Sequence, residues 1–202
     1  IVLRSGRRYG KSQLALALID QHCNTPSEWG GQDKPSVLLV CPTNVQARDI
    51  YWKTGLVEAR WKGRAKLREG DCEVILPNGG RVAFRGVENA GAREGQGHTM
   101  IVIDEAGLIP DLESVYTRTL RSMLMDTGGR FFVIGTPKGH GDYYQTLYDR
   151  GIGAKRDPDW LSFQGASIEN TYLSADEIEA IRRELDWATF QSEILGIPTP
   201  RT

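Results

Sequence analysis

Short, continuous apolar runs alternate along the chain with stretches whose apolar residues have helical spacing. The runs at residues 1–3, 36–41, 100–103 and 130–134 predict strands buried on both faces, as in a parallel sheet. Helices are predicted between them, and the Ser/Thr-x-x-Glu/Gln spacing at residues 43–46 and 174–177 marks two helix starts. We therefore predict an α/β fold with a mainly parallel central sheet flanked by helices.

The same patterning predicts several smaller elements. Residues 73–76 and 81–85 flank an Asn-Gly turn, which predicts an antiparallel hairpin annexed to the sheet. Residues 142–148 predict a short aromatic helix, residues 160–163 a last strand and residues 187–195 a last helix. A further helix after residue 111 carries an apolar stripe that we interpret as core packing: Leu112, Val115, Tyr116, Leu120, Met123 and Leu124.

Composition narrows the function classes. The 202 residues suit one α/β domain, and a net charge of −1 supplies no global basic field for nucleic acid. The three cysteines and three histidines are scattered, which predicts free thiols and disfavours a disulfide framework or a zinc site. No apolar run is long enough to span a bilayer, so no membrane partner is predicted.

A basic stretch at residues 60–68 allows two interpretations. Five Lys and Arg residues surround Trp61, a combination that suits contact with a phosphate backbone. A solvated face is the alternative that we favour, because charge runs commonly have no ligand.

The first chemical motif follows the first predicted strand and leads into a helix. It matches the phosphate-loop pattern G-x-x-x-x-G-K-[ST] except that Ser5 replaces the first glycine. Such a loop cradles phosphates with backbone N–H groups; Lys11 then neutralises the β- and γ-phosphates of ATP, and Ser12 ligates Mg²⁺. A chance match in a surface turn is the alternative. The predicted ATP-binding residues are Ser5, Gly6, Arg7, Arg8, Tyr9, Gly10, Lys11 and Ser12.

Two adjacent carboxylates form the second motif, at the end of the apolar run 100–103. Ligands bind at this edge of open α/β sheets, and emerging acids are costly there unless a cation meets them. We interpret Asp104 as the Walker B residue that holds Mg²⁺ through its water shell, and Glu105 as the general base that orients the attacking water. A helix start that attracts acids is the alternative.

A third candidate is Gly135-Thr136-Pro137, directly after the run at residues 130–134. The hydroxyl of Thr136 is placed at the ligand edge of the predicted sheet, where it would sense the γ-phosphate. A simple turn is the alternative, since these residues are also good turn formers.

The order of these motifs resembles the ATPase domain of the large terminase subunit of tailed bacteriophages, the motor that packages double-stranded DNA into a procapsid. The likeness is carried by residues 6–12, 41–44, 92–95, 102–107, 135–137 and 190–196. It implies a P-loop NTPase fold of the RecA/ASCE type, with ATP and Mg²⁺ as cofactors. It also implies a ring of identical subunits around DNA, a small terminase subunit and a portal protein as partners, and the host cytoplasm as location.

The resemblance assigns three further roles. Arg7 matches an arginine of the family's phosphate loop that contacts the γ-phosphate or switches with nucleotide state. Arg93 matches a finger that reaches the neighbouring subunit's ATP; a loop salt bridge is the alternative. Gly135, Thr136 and Pro137 match the motif that couples hydrolysis to movement.

The resemblance also predicts the domain limits. Residues 1–196 form the ATPase domain, without the adenine-contacting segment that precedes the first strand in the family. Residues 197–202 begin the linker to a nuclease domain that is absent, so no nuclease activity is expected. Two other functions remain open: the core of a DEAD-type helicase, and a module that binds nucleotide to assemble without turnover.

Overall fold

The fold is described from a computed structural model that covers residues 1–91, 97–139 and 141–199. The strands are β1 Val2–Ser5, β2 Ser36–Cys41, β3 Lys66–Arg68, β4 Glu73–Ile75, β5 Arg81–Gly86, β6 Met100–Ile103, β7 Arg130–Gly135 and β8 Ser162–Gly165. The α-helices are α1 Lys11–Cys23, α2 Asn44–Ala47, α3 Leu56–Trp61, α4 Val87–Ala90, α5 Leu112–Ser114, α6 Tyr143–Asp149, α7 Ala175–Glu184 and α8 Trp187–Glu193. Two π-helical segments, Arg48–Lys53 and Val115–Leu120, continue α2 and α5.

Among the described residues, eight strands form a mixed, mostly parallel sheet. The pairs β1–β7, β1–β8, β2–β5 and β2–β6 are parallel, whereas β3–β4 and β4–β5 are antiparallel. The predicted α/β class and its mainly parallel sheet are therefore confirmed.

The chain divides into two compact units, each built from separate segments. The first unit comprises Ile1–Lys11, Glu105–Leu108 and Val133–Thr202, and the second comprises Ser12–Asp104 and Ile109–Phe132. The boundary passes between Lys11 and Ser12 and between Asp104 and Glu105, so the predicted phosphate loop and the acidic pair each have residues in both units, whereas residues 135–137 lie in the first unit.

The second unit contains strands in the order β3-β4-β5-β2-β6. Its centre is β2, where Leu39 pairs with Phe84 of β5 on one side and Val102 of β6 on the other. All three side chains are buried, which explains why these runs carry no alternation of polar residues. The hairpin of β4 and β5 is confirmed, and its register places Glu73 opposite Ala83.

The favoured interpretation of the basic stretch as a solvated face is confirmed for its charges, because Lys62, Arg64, Lys66 and Arg68 are exposed. Its tryptophan behaves differently. Trp61 is buried and its indole N–H donates to Asp20 at 3.1 Å, while Arg64 pairs with the same carboxylate at 3.3 Å. The end of the stretch adds an edge strand, β3, which the sequence pattern did not predict. A buried tryptophan offers no face for stacking on a nucleic acid base, so the structure contradicts that part of the phosphate-backbone interpretation.

In the first unit, β1 lies between β7 and β8, with Leu3 opposite Ile134 and Phe163. The last strand lies two residues later than the predicted 160–163, and α8 ends at Glu193 rather than residue 195. Both predicted helix starts carry their N-cap hydrogen bond, since the Thr43 and Ser174 side chains accept from the backbone N–H groups three residues on.

The three cysteines are buried free thiols, as expected, and burial raises the pKa of Cys23 to about 12. In the described part of the chain, no helix combines the length and apolar character needed to cross a membrane.

Candidate functional site

The predicted phosphate loop joins the end of β1 to the start of α1. Positive φ angles occur at Arg8 (61°) and Gly10 (101°), the two places where the backbone enters the left-handed region. Ser5 is still part of β1 and pairs with Gly165 of β8. The position of the missing glycine therefore has extended backbone that any residue adopts, which explains why serine is tolerated there.

The apex of this loop is held by the C-terminal part of the first unit. The N–H of Gly6 donates to the carbonyl of Gly165 at 3.1 Å, and the N–H of Arg7 donates to the carbonyl of Glu193 at 2.7 Å. Side chains of Ser167 and Asn170 donate to the carbonyls of the two loop arginines. The loop is thus shaped by tertiary hydrogen bonds as well as by its own glycines.

Close packing fixes the loop further. A Cβ at Gly6 would lie 2.1 Å from the carbonyl oxygen of Ile194, and one at Gly165 would lie 2.3 Å from the ring of Tyr9. Glycine is required at position 6 because no larger residue fits beside the neighbouring backbone, whereas at position 165 a side chain would force the Tyr9 ring to move.

Arg7 forms an ion pair with Glu193 of α8, and Lys138 reaches the other oxygen of the same carboxylate at 2.6 Å. Arg7 retains 66% of its side-chain exposure, whereas Glu193 retains 16%. In this structure the guanidinium of Arg7 therefore lies against α8.

Lys11 is the most buried cation of the loop, with 6% of its surface exposed. Its ammonium donates to the carbonyl of Gly6 at 2.9 Å and to the hydroxyl of Thr136 at 3.1 Å. The loop lysine and the predicted coupling threonine, 125 residues apart, are thus brought into direct contact within the first unit.

The coupling segment also packs against the backbone that follows the acidic pair. A Cβ at Gly135 would lie 2.9 Å from the nitrogen of Ala106, and one at Gly107 would lie 2.4 Å from the carbonyl oxygen of Thr136. Two backbone segments approach this closely only because both positions are glycine. The simple-turn interpretation of residues 135–137 does not account for this contact.

Glu105 has a left-handed backbone, with φ of 52°, and is half-buried. Such a conformation costs energy in a residue with a Cβ and occurs preferentially at functional sites. It follows directly on the strand end, and Leu108 donates to its carbonyl at 2.8 Å.

In the second unit, Asp104 is fully buried at the end of β6. The Ser12 hydroxyl lies 3.4 Å from its Oδ2 atom, and the Tyr51 hydroxyl donates to the same atom at 2.5 Å. Burial, and then the charge of Asp104, raise the pKa of Tyr51 well above its usual value, so Tyr51 stays a hydrogen-bond donor.

Ser12 and Asp104 fit the part of a Mg²⁺ site that protein supplies. Mg²⁺ commonly takes one or two protein oxygens and completes its octahedron with waters and substrate phosphates. A hydroxyl and a carboxylate oxygen 3.4 Å apart match that donor set. No cluster of three or more His, Cys, Asp or Glu residues able to hold a metal occurs within residues 1–91, 97–139 and 141–199.

One predicted residue, Arg93, lies outside the described residues. Three residues of the site were missed by the sequence pattern, namely Tyr51, Lys138 and Glu193. Their contacts join positions 53 to 186 residues apart, and the chain carries no local signal for such contacts.

Comparison with known proteins gives fold neighbours only. No protein-family profile and no curated protein sequence matches the chain. The large terminase ATPase domain of Thermus phage P74-26 matches with a TM-score of 0.75 and 21% identity, over 97% of this chain and 87% of that one.

Two other large terminases match as well. That of a thermophilic bacteriophage, in complex with ADP, matches with a TM-score of 0.75 and 18% identity, over 98% of this chain and 48% of that one. The HK97 bacteriophage large terminase matches with a TM-score of 0.73 and 15% identity, over 98% of this chain and 46% of that one. The chain thus spans about half the length of these two proteins. Across nearly its whole length, the chain has the fold of the ATPase domains of bacteriophage large terminases.

Proposed function

We propose that this chain is the ATP-hydrolysing motor domain of a large terminase subunit, which drives double-stranded DNA into a procapsid. The observation that carries the proposal is the meeting of the loop hydroxyl of Ser12 with the buried carboxylate of Asp104 at 3.4 Å. The fold likeness to terminase ATPase domains supports the motor assignment, and the large terminase of the thermophilic bacteriophage is also described in complex with ATP-γ-S.

The chemistry assigned to each residue follows from its position. Lys11 is a buried cation that would exchange its hydroxyl and carbonyl partners for phosphate oxygens of ATP. Ser12 and Asp104 would hold Mg²⁺, which supplies charge neutralisation on the phosphates. Glu105 would accept a proton from the attacking water as the β,γ-bridging P–O bond breaks, yielding ADP and phosphate.

The arginines are assigned to the developing phosphoryl charge. Arg7 would contact the γ-phosphate or switch with nucleotide state, and Arg93 would act as a finger on the neighbouring subunit's ATP. Ser5, Gly6, Arg8, Tyr9 and Gly10 would line the phosphates. Gly135, Thr136 and Pro137 would couple turnover to movement.

The wider setting is proposed from the same likeness. The domain would act as a homo-oligomeric ring with a small terminase subunit and a portal protein, in the host cytoplasm. The helicase alternative is not favoured, because the three large terminase structures compared above match along nearly the whole chain.

The proposal is tested by measuring ATP hydrolysis against protein concentration. Wild-type turnover is expected to rise more than linearly with concentration, because Arg93 acts on a neighbouring subunit. Glu105→Gln is expected to lose about 10²–10⁴-fold, and Arg93→Ala about 10³-fold or more, both with nucleotide binding retained. Arg68→Ala, an exposed arginine on β3, is the matched control and should hydrolyse ATP like the wild type.

Two outcomes would contradict the proposal. A wild-type protein that binds nucleotide but shows no turnover, and whose nucleotide affinity is the same in Glu105→Gln, would favour the assembly module. Turnover that is linear in concentration and unaffected by Arg93→Ala would reject the ring motor.

A further inference from the structure

We infer that Tyr51 is a positioning residue for the metal-holding carboxylate, and that its hydroxyl aims Asp104 for Mg²⁺ binding. The inference rests on the proposed function, since it concerns how the Mg²⁺ site is built. Tyr51 belongs to none of the motifs that the sequence carries.

The geometry of Tyr51 is that of a fixed donor. Its side chain is fully buried, and its hydroxyl lies 2.5 Å from Asp104 Oδ2. Its ring packs 5.3 Å from the ring of Phe84 on β5. The π-helical segment Arg48–Lys53 sets the direction of this side chain, and π-helical turns recur at functional sites.

Asp104 requires such a donor. A buried carboxylate is costly unless it is hydrogen-bonded, and the plane of an aspartate carboxylate is weakly defined by its own torsion. The contact from Ser12, at 3.4 Å, is longer than an ordinary hydroxyl hydrogen bond, and the bond from Tyr51, at 2.5 Å, is the shorter of these two contacts with Oδ2. We therefore assign the orientation of Oδ2 to Tyr51 rather than to Ser12.

Packing alone does not explain a tyrosine at this position. The neighbouring Trp52 also packs on Phe84, with ring centroids 5.8 Å apart. A phenylalanine at position 51 would make the same ring contact without bringing a hydroxyl into a fully buried place. The cost of burying the hydroxyl is offset by its hydrogen bond to Asp104. We therefore infer that the hydroxyl is present to hold the carboxylate.

The test compares Tyr51→Phe with the wild type, since this change removes the hydroxyl and keeps the ring. Binding of Mn²⁺, a paramagnetic substitute for Mg²⁺, is measured by electron paramagnetic resonance in the presence of a non-hydrolysable ATP analogue. We expect Mn²⁺ affinity to fall about 10-fold or more, the usual loss for removal of a group that orients a metal ligand. The Mg²⁺ concentration at half-maximal ATP hydrolysis should rise by a similar factor.

The matched control is Tyr116→Phe. Tyr116 is also buried on a π-helical segment of the second unit and packs on an aromatic ring, that of Phe131, at 4.7 Å. Its Mn²⁺ affinity should equal that of the wild type, and thermal unfolding should show both variants folded.

The outcomes separate this inference from the proposed function. Equal Mn²⁺ affinity in Tyr51→Phe and the wild type would overturn the role of Tyr51 alone. Equal losses of Mn²⁺ affinity in Tyr51→Phe and Tyr116→Phe would also overturn it, because the effect would then be structural. A wild-type protein that binds no Mn²⁺ with nucleotide would overturn the proposed function itself.

Discussion

Replacing Gly135 with alanine tests the close approach of β7 to the backbone that follows the acidic pair. The added Cβ would lie 2.9 Å from the nitrogen of Ala106 and 3.2 Å from the nitrogen of Gly107. Both neighbours are backbone atoms, and Gly135 is itself held opposite Arg4 of β1. The clash therefore moves one of two main-chain segments.

The expected size of the effect follows from overpacking. Inserting a methyl group into a filled site costs about 1–3 kcal/mol in the free energy of unfolding. For a chain of this length, that corresponds to a fall in melting temperature of roughly 2–12 °C. Displacing the backbone beside Glu105 by about 1 Å should also lower ATP turnover, by about 10²-fold.

Urea unfolding and ATP turnover are measured for Gly135→Ala beside Gly70→Ala. A Cβ at Gly70 meets nothing within 4 Å, and Gly70 has no positive φ, so this control changes only the chain entropy. Its free energy of unfolding should stay within about 0.5 kcal/mol of the wild type. A Gly135→Ala protein as stable and active as Gly70→Ala would refute the reasoning.

Two other predictions concern charged and titrating groups. Glu193→Gln releases Arg7 from its ion pair and frees it to bind ATP. The ATP concentration at half-maximal turnover should therefore fall by up to about fivefold, the usual strength of a surface ion pair. An unchanged value would show that the pair does not compete with ATP. Burial, with the charge of Arg81 second, lowers the pKa of His98 to about 4, so its neutral form contributes stability above pH 6.5 that is lost as pH falls toward 4. Urea unfolding at pH 7 and pH 4.5 measures how much free energy of unfolding each protein loses between the two pH values. This loss should be up to about 3 kcal/mol larger in the wild type than in His98→Gln, and equal losses in the two proteins would contradict the role of His98.

Local features of the chain were predicted well because they depend on neighbouring residues. The apolar runs became buried strands, since continuous hydrophobicity requires cover on both faces. The N-cap hydrogen bonds of Thr43 and Ser174 formed because each needs only a hydroxyl and an N–H three residues apart. The Asn-Gly hairpin formed for the same reason.

Predictions were less accurate where distant contacts decide the outcome. The helices predicted after residues 43 and 111 contain π-helical segments, whose i→i+5 hydrogen bonds leave no mark in apolar spacing. Trp61 was interpreted as part of a charge run, yet its indole fills a buried place beside Asp20. The edge strand β3 depends on pairing with β4, which single-strand periodicity does not report.

The sequence by itself determined the buried strands of the sheet, the phosphate-loop pattern and the placement of two acids at a strand end. These are properties of short segments, set by hydrophobic period, turn chemistry and capping. Tertiary structure alone decided that Lys11 touches Thr136, that Tyr51 donates to Asp104 and that Arg7 pairs with Glu193. Each of these contacts joins residues more than 50 positions apart, so its existence depends on how the whole chain packs rather than on any local pattern.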